Sequence, residues 1–441
     1  MRRHILIVFG LFVLVAIAAA VYVGWPDTAR LPIGAVEGKT PTISTPRVQT
    51  IPTIDVADAV GWPAGAMPAP APGLSIKAYA TGLDHPRWLY RLPNGDVLVA
   101  ETNSPPRGGG GIRNWVMKHL MGKAGAGAPS ANRITLLRST KGDGVADVKT
   151  VFMTRLNSPF GMTLFEGQLY IADTDALVLV PYTDGATAIT AKPELVVKLP
   201  GGGNHWARNV IPAPDGRTLL VSVGSSTNIA DDGIDAEQNR AAILQVWPKE
   251  KTFRIYAAGL RNPNGMALTK AGQLWTVVNE RDMLGSDLAP DYLTQVEFGD
   301  HFGWPWYYWG GYPDARVQPD NPQLQQYSKR PDYALGPHVA ALGLAFADGA
   351  KLGAAWSNGA FVGEHGSWNR KPVSGYKLVY IPFAATGFPV AGAKPVDVLT
   401  GFLNKDGKAQ GRPVGVIVDK DGGLLVADDV GNVVWRVSAV K

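Results

Sequence analysis

The sequence predicts an all-β protein, a six-bladed β-propeller preceded by an N-terminal membrane-anchor or signal helix. Three observations lead there. Glycine (52 residues) and proline (34) are abundant in a chain of 441, while charged residues make up only 18%; this balance favours many short strands joined by tight turns over long surface helices. A hairpin pattern recurs six times. The repeats stand at uneven intervals of roughly 50 to 85 residues, longer and less regular than those of a solenoid.

Taken in order, Arg2 and Arg3 precede an uncharged run from Ile5 to Trp25. A bilayer is spanned by about 20 helical residues, and the two arginines would stay on its cytoplasmic side. Residues 1–25 are therefore expected to anchor an exported, periplasmic body to the inner membrane. A signal peptide cleaved after Ala18-Ala19-Ala20 is the alternative. Residues 26–72 are rich in proline, including Pro41, Pro46, Pro52, Pro63, Pro68, Pro70 and Pro72, which break helices and central strands. They read as an extended linker partly draped on the body, with Trp62 docking onto it.

The propeller domain is expected over residues 73–441. In each repeat a first strand leads to a glycine-bearing turn and then to an apolar second strand. The second strands are Asp96–Glu101, Gln168–Asp173, Thr218–Val223, Gln273–Val278, Ala360–His365 and Gly423–Asp428. The turns before them are Asn94-Gly95, Glu166-Gly167, Asp215-Gly216, Ala271-Gly272, Asn358-Gly359 and Asp421-Gly422. One such sheet cannot cover its own apolar faces; a ring of them leaves only short edges. Two insertions interrupt the pattern. Ser104–Asn132 contains Ile112–Met121, apolar at helical spacing and expected to form a short helix over one face. Tyr312–Leu335 is polar and proline-rich, and is expected to be a long surface loop.

Composition and motifs also exclude classes of function. Net charge is only +5 and no dense Lys/Arg run occurs, which argues against nucleic-acid binding. With no cysteine in the chain, disulfides and thiol catalysis are ruled out. No HExxH, Walker or GxSxG motif is found, so serine or zinc hydrolysis lacks candidates.

Gly202-Gly203-Asn204-His205-Trp206-Ala207-Arg208-Asn209 carries the most chemistry. Glycines there permit close approach of a ligand to the backbone, beside an imidazole, an indole and a guanidinium. The next repeat reads Gly259-Leu260-Arg261-Asn262-Pro263-Asn264-Gly265, the fifth Gly366-Ser367-Trp368-Asn369-Arg370-Lys371, and the sixth Gly411-Arg412-Pro413. Arginines at matching places around one axis would form a positive funnel for a ligand with several carboxylates or phosphates. Asn279–Asp287, with Glu280, Arg281 and Asp282, offers carboxylates in a glycine-bearing loop that could hold Ca²⁺. Gly142-Asp143-Gly144 with Asp147 is better explained as a hairpin turn.

These segments, with Phe302-Gly303-Trp304-Pro305 and Gly411-Arg412-Pro413-Val414-Gly415, resemble the glucose/sorbosone dehydrogenase family, and most closely its L-sorbosone dehydrogenase-like members. The resemblance covers about residue 73 to 441, one motif per blade. It implies a quinoprotein that uses pyrroloquinoline quinone (PQQ) with Ca²⁺ beside it. By motif, His205 matches the catalytic base and Arg261 and Asn262 the pair contacting the quinone. Arg208, Arg370, Lys371 and Arg412 fall where basic residues face the cofactor, and Glu280, Arg281 and Asp282 near the metal. The implied reaction oxidises a sugar or sugar aldehyde. Hydride passes to the quinone while His205 takes the hydroxyl proton, and an acceptor such as a quinone or cytochrome removes the electrons. A non-catalytic sugar- or protein-binding propeller and a calcium-dependent lactonase-type hydrolase are the rival readings. Trp206, Trp304 and Trp368 are candidates to stack on the ligand.

Overall fold

The computed structural model describes residues 10–16, 26–106 and 112–440. Of the expected anchor, only residues 10–16 fall among these; they are helical with exposed side chains. The rest of that expectation lies outside the described residues.

Six antiparallel sheets follow one another around a ring. The first blade is Pro86–Arg91, Val97–Glu101, Arg133–Arg138 and Val148–Met153; the second is Met162–Phe165, Gln168–Ala172, Ala176–Pro181 and Glu194–Lys198. Then come Val210–Pro212, Leu219–Val223, Ala242–Trp247 and Thr252–Ala258 in the third, and Pro263–Leu268, Leu274–Val278, Pro290–Val296 and Tyr333–Pro337 in the fourth. Ala341–Phe346, Gly359–Glu364, Lys377–Pro382 and Val396–Thr400 make the fifth. The sixth takes Pro413–Val418, Leu424–Asp428 and Val433–Ala439, and borrows its outermost strand, Leu74–Thr81, from the start of the domain. That strand pairs from Leu74 opposite Ala439 to Thr81 opposite Val433 and so closes the ring.

All six expected second strands form, each within a residue of its expected limits. Val97–Glu101, Leu219–Val223, Leu274–Val278 and Leu424–Asp428 are buried at every position, because neighbouring blades cover both faces and a doubly covered strand reads as a continuous apolar run. Near the axis the backbones themselves come together. A Cβ on Gly265 would sit 2.8 Å from the Leu342 carbonyl oxygen, and one on Gly415 2.8 Å from the Arg87 carbonyl oxygen, so glycine alone lets consecutive inner strands approach this closely. Trp88, Phe160, Trp206, Leu342 and Val414, drawn from five blades, lie in one buried cluster that plugs the axis. Trp88 and Phe160 are 5.0 Å apart between ring centroids, Phe160 and Trp206 5.9 Å.

The helix in the first insertion is present as Ile112–Lys123. The second insertion departs from expectation at its end: Tyr333–Leu335 are fully buried in the outer strand of blade four rather than in a surface loop. Its polar sequence misled because only its last residues enter the strand, after the two-turn 3₁₀ helix Pro322–Tyr327 and the connection 328–332.

Residues 26–72 are largely extended and draped on the body, as expected, where they form a strap held by specific hydrogen bonds. The Asp27 carboxylate accepts from the Ser286 amide at 2.7 Å and Arg47 Nη1 at 2.8 Å. Further along, Arg47 and Gln49 amides donate to Leu284 and Met283, Asp55 to Trp368, and Val60 to Ala409. Trp62 does dock: Nε1 donates to Asp428 at 2.7 Å, and its ring meets Phe402 and Trp435 edge-on at 5.6 and 5.5 Å. Ala69–Pro70 then adds an edge to blade five. Trp62→Ala is expected to destabilise the protein by about 2–4 kcal/mol, since a large aromatic and a hydrogen bond to a buried carboxylate are both lost. Urea unfolding measures it; an unchanged midpoint would mean the strap is not fastened there.

Candidate functional site

Antiparallel blades sort their connections by end. The tight turns between first and second strands lie at one end of the ring. The connections from second to third strand, and from one blade to the next, lie at the other. Every candidate residue is on that second end.

His205 sits in the loop Pro200–Asn209 that leads into blade three. Its Nδ1 is 2.8 Å from the Ser225 carbonyl oxygen and 3.0 Å from Ser225 Oγ, and Oγ donates in turn to the Thr227 carbonyl at 2.7 Å. A carbonyl only accepts, so in the neutral ring the proton resides on Nδ1 and the basic lone pair on Nε2. Gly224 brings the next blade alongside: a Cβ there would collide with Asn262 Oδ1 and lie 2.6 Å from His205 Cβ. Asn262 Oδ1 is buried without a hydrogen-bond partner.

Three of the four expected funnel arginines point their donors at loop carbonyls. Arg208, fully buried, donates to His205 and Pro200 carbonyls at 2.7 Å each and to Ala207 at 3.1 Å; burial, with Arg240 nearby, pushes it down to about 9. Arg261 donates to Asn228 Oδ1 at 2.9 Å and to the carbonyls of Glu280, Asn279 and Asn228 at 2.7, 3.1 and 3.1 Å. Arg370 donates to the Ser286 and Pro372 carbonyls, and the Lys371 side chain is exposed. These groups shape the loops around the mouth.

The cationic pole comes instead from blades six and one. Arg412 reaches the Tyr376 hydroxyl at 2.8 Å, and Arg87 donates to Asp429 at 2.6 Å with its Cζ 5.6 Å above the Trp206 ring. The Nε of each is buried and unpartnered, as is that of Arg208. Asp429 also meets His365 Nε2 at 2.8 Å and His85 Nε2 at 3.5 Å. Burial alone would raise the Asp429 carboxyl, but His365, His85 and Arg87 outweigh it and hold the group well below the usual carboxylate range. Burial drives His365 down to about 4.

Of the expected stacking residues, Trp206 lies at the axis under Arg87. Trp304 is buried and donates to the Asn228 carbonyl at 3.1 Å, and Trp368 lends its carbonyl to the strap. The residues not foreseen are Arg87, Ser225, Asn228, His338, His365 and Asp429. Arg87 was within reach of the repeat pattern: Pro86, Pro263 and Pro413 each open an inner strand opposite the last residue of a second strand, and Arg87 adjoins the first as Arg261 and Arg412 stand near the others.

The predicted calcium ligands do not fit that ion. The carbonyls of Asn279 and Glu280 accept from Arg261, and that of Asp282 accepts from Arg281 Nε at 2.9 Å. Arg281 is itself paired with Asp314. Asp282 Oδ1 lies 3.2 Å from His338 Nδ1, and His338 Nε2 3.0 Å from the Gly285 carbonyl. Both imidazole nitrogens thus face acceptors. Burial would lower His338, but Asp282 outweighs it and raises the group, so three basic groups of the chain itself, Arg261, Arg281 and His338, stand against the loop. Among the described residues no cluster of three or more acidic or histidine side chains is placed to hold a metal.

This ring, with an imidazole, an Arg-Asn pair and unpaired guanidinium donors at one mouth, is a propeller of the glucose/sorbosone dehydrogenase class. The chain belongs to the TrAA12-like family, whose model matches residues 68–297 and 294–439. An uncharacterized protein of Borreliella burgdorferi is 26% identical over 362 residues, covering 79% of this chain and 90% of that protein. A pyrroloquinoline quinone-dependent pyranose dehydrogenase of Coprinopsis cinerea is 27% identical over 236 residues, 43% of this chain and 32% of that enzyme, so the match spans about a third of its length. The holo PQQ domain of pyranose dehydrogenase from Coprinopsis cinerea superposes with a TM-score of 0.68 at 20% identity, over 87% of this chain and all of that domain; this last likeness is one of fold.

A carboxyl held low in the folded state stabilises it fully above the unfolded value, about 3.9, and that contribution is lost as pH falls further. The stability of the protein is therefore expected to drop below about pH 4, and Asp429→Asn to flatten this acid limb while lowering stability at pH 7. Chemical denaturation at stepped pH tests it; an acid limb unchanged in the variant would mean Asp429 is not the group that titrates.

Proposed function

We propose that this chain oxidises a sugar or sugar aldehyde, of aldose or sorbosone type, with PQQ as its resident cofactor and His205 as general base. The observation that carries the reading is the pairing of a tautomer-fixed imidazole with two guanidinium groups, Arg87 and Arg412, each of which, like Arg208 beside the imidazole, keeps a buried Nε donor unused. Trp206, next to His205 in sequence and beneath Arg87, ties these two halves together. A planar ligand with three carboxylates suits such donors, because Arg binds carboxylates through directed pairs of N–H groups.

When bound, PQQ supplies a two-electron acceptor for hydride. The chain supplies the rest. Arg87 and Arg412 would hold carboxylates, and Asn262, set beside His205 by Gly224, would present its amide to the ligand. His205 Nε2 would accept the substrate hydroxyl proton. As the imidazolium forms, its Nδ1–H keeps its bond to the Ser225 carbonyl, so the ring neither turns nor loses its partner at the moment of charge development. Arg208, bonded to the carbonyl of His205 itself, fixes the backbone from which that ring projects. No step is routed through calcium. An acceptor such as a quinone or cytochrome would take the electrons, and the run Ile5–Trp25 would anchor the protein to the inner membrane with its body in the periplasm.

The test is to load the apoprotein with PQQ, add a panel of aldoses, pyranoses and sorbosone, and follow reduction of a dye. His205→Ala is expected to lower kcat about 10²–10⁴-fold while PQQ survives dialysis. Arg412→Ala is expected to weaken PQQ binding about 10–100-fold, the loss of a charge-assisted hydrogen bond. Full turnover by His205→Ala would remove it from the mechanism. Failure to retain PQQ or to reduce dye with any sugar would overturn the reading as a whole.

A further inference from the structure

The strap crosses the same end of the ring that bears the site. It touches the loop of blade four through Asp27, Arg47 and Gln49, that of blade five through Asp55, and the connection into blade six through Val60; the Ala59 amide reaches the carbonyl of Lys123 in the insertion of blade one. Its buried face is polar and specific: Asp27, Gln49 and Thr53 bond to one another or to the rim. Its outer face carries large aliphatic side chains among exposed threonines, with Asp55 and Asp58 half-buried between them. Val48 is 53% exposed, Ile51 54%, Ile54 40% and Val60 52%, a concentration of large aliphatic side chains facing away from the protein that calls for a partner. Exposed cations stand near it: the Arg30 side chain is 78% exposed, and Lys123 and Lys371 are exposed too. Exposed carboxylates of this end, Asp231, Asp232 and Asp235, are on the connection of blade three, outside the strap contacts named above.

The direction of the chain says what that partner is. Asp27 is fixed on the rim by its amide to Thr53 Oγ1 and its carboxylate to Ser286 and Arg47. The uncharged run Ile5–Trp25 ends two residues earlier, and two residues span at most about 7 Å. Among residues 10–16, Phe12, Leu14 and Val15 are largely exposed. A chain whose apolar run ends this close to a pinned residue has no slack to turn its body over.

We propose that the protein rests with its site-bearing end against a lipid bilayer, the strap residues Val48, Ile51, Ile54 and Val60 dipping into the interface and Arg30, Lys123 and Lys371 meeting anionic headgroups. Apolar side chains flanked by cations are the pattern of an interfacial surface, which buries about 5–10 Å into the headgroup boundary. The opposite end, with its six tight turns, then faces the aqueous phase. The inference uses the anchor reading and is independent of the PQQ chemistry.

The absence of native cysteine allows a direct test on the full chain. Ile51→Cys, Val60→Cys and, on a tight turn at the far end, Lys270→Cys each give a single thiol for an environment-sensitive fluorophore. Each labelled protein is reconstituted in phosphatidylethanolamine–phosphatidylglycerol vesicles with and without spin-labelled lipid. Strap labels are expected to lose emission about twofold or more with the quenching lipid, and the Lys270→Cys label to be unaffected, since only groups within the interface reach the quencher. Vesicle co-flotation is read in parallel. Protein that floats with all three labels equally quenched or unquenched overturns the orientation. Protein that does not float overturns the proposal together with the anchor. Dye reduction by PQQ-loaded protein would stand in either case, so failure here is separable from failure of the proposed activity.

Discussion

Buried guanidinium groups answered by main-chain carbonyls are the constraint on which the mouth of this ring depends. A charge taken out of water is costly unless every donor is met. Arg208 and Arg261 are enclosed, and the fixed fork of the guanidinium bonds several carbonyls of one loop at once, with only the Nε of Arg208 left unmet. Arg208 thereby gathers Pro200, His205 and Ala207 into a single curve, and Arg261 does the same for Asn228, Asn279 and Glu280. The loops are irregular and glycine-rich, so they lack a ladder of their own; the side chain supplies it. His205 is held in place as a by-product of satisfying an arginine.

That use of arginine divides the cations into two kinds. Those on blades three, four and five spend most of their donors on loop carbonyls, while Arg412 and Arg87 on blades six and one bond to side chains; the Nε of Arg208, Arg412 and Arg87 alike is left unpartnered. The division also bears on the metal. A calcium ion and a guanidinium compete for the same carbonyl oxygens, and at Glu280–Asp282 the guanidinium groups of Arg261 and Arg281 are already there. His338, raised by Asp282, adds a third basic group of the chain to the same loop.

The blades were legible in the sequence because each is a local object: a glycine turn, then an apolar run, within a few tens of residues. Leu219–Val223 or Leu424–Asp428 can be read without knowing anything else in the chain. Placement of His205, Arg261 and Arg412 at one end followed from the same repeat, since the register of a hairpin fixes which end each connection occupies. What each arginine bonds to was not legible. Arg87 meets Asp429 across 342 residues of sequence, and whether a guanidinium faces a carbonyl or an open axis depends on loop paths that carry no periodicity. Ser225 was invisible for a related reason. Its carbonyl, not its side chain alone, sets the tautomer of His205, and any residue has a carbonyl. For the proline-rich segment the composition specified extension and Trp62 a docking point; the rest of its fixity comes from Asp27, Gln49 and Thr53, three side chains that nothing in the sequence marks out.

Closure of the ring and roofing of the site are the work of one continuous stretch of chain. The strap that borders the mouth runs straight into Leu74–Thr81, the strand that completes blade six. Trp62 cannot dock until Asp428 is in place, 366 residues later, and Asp428 in turn holds the amide of Arg412 at 2.8 Å. The C-terminal strands therefore hold both the last arginine of the site and the strap. A ring left open at blade six would lose the strand, the roof and one cationic pole together, so a chain with a half-formed mouth has no closed ring to carry it.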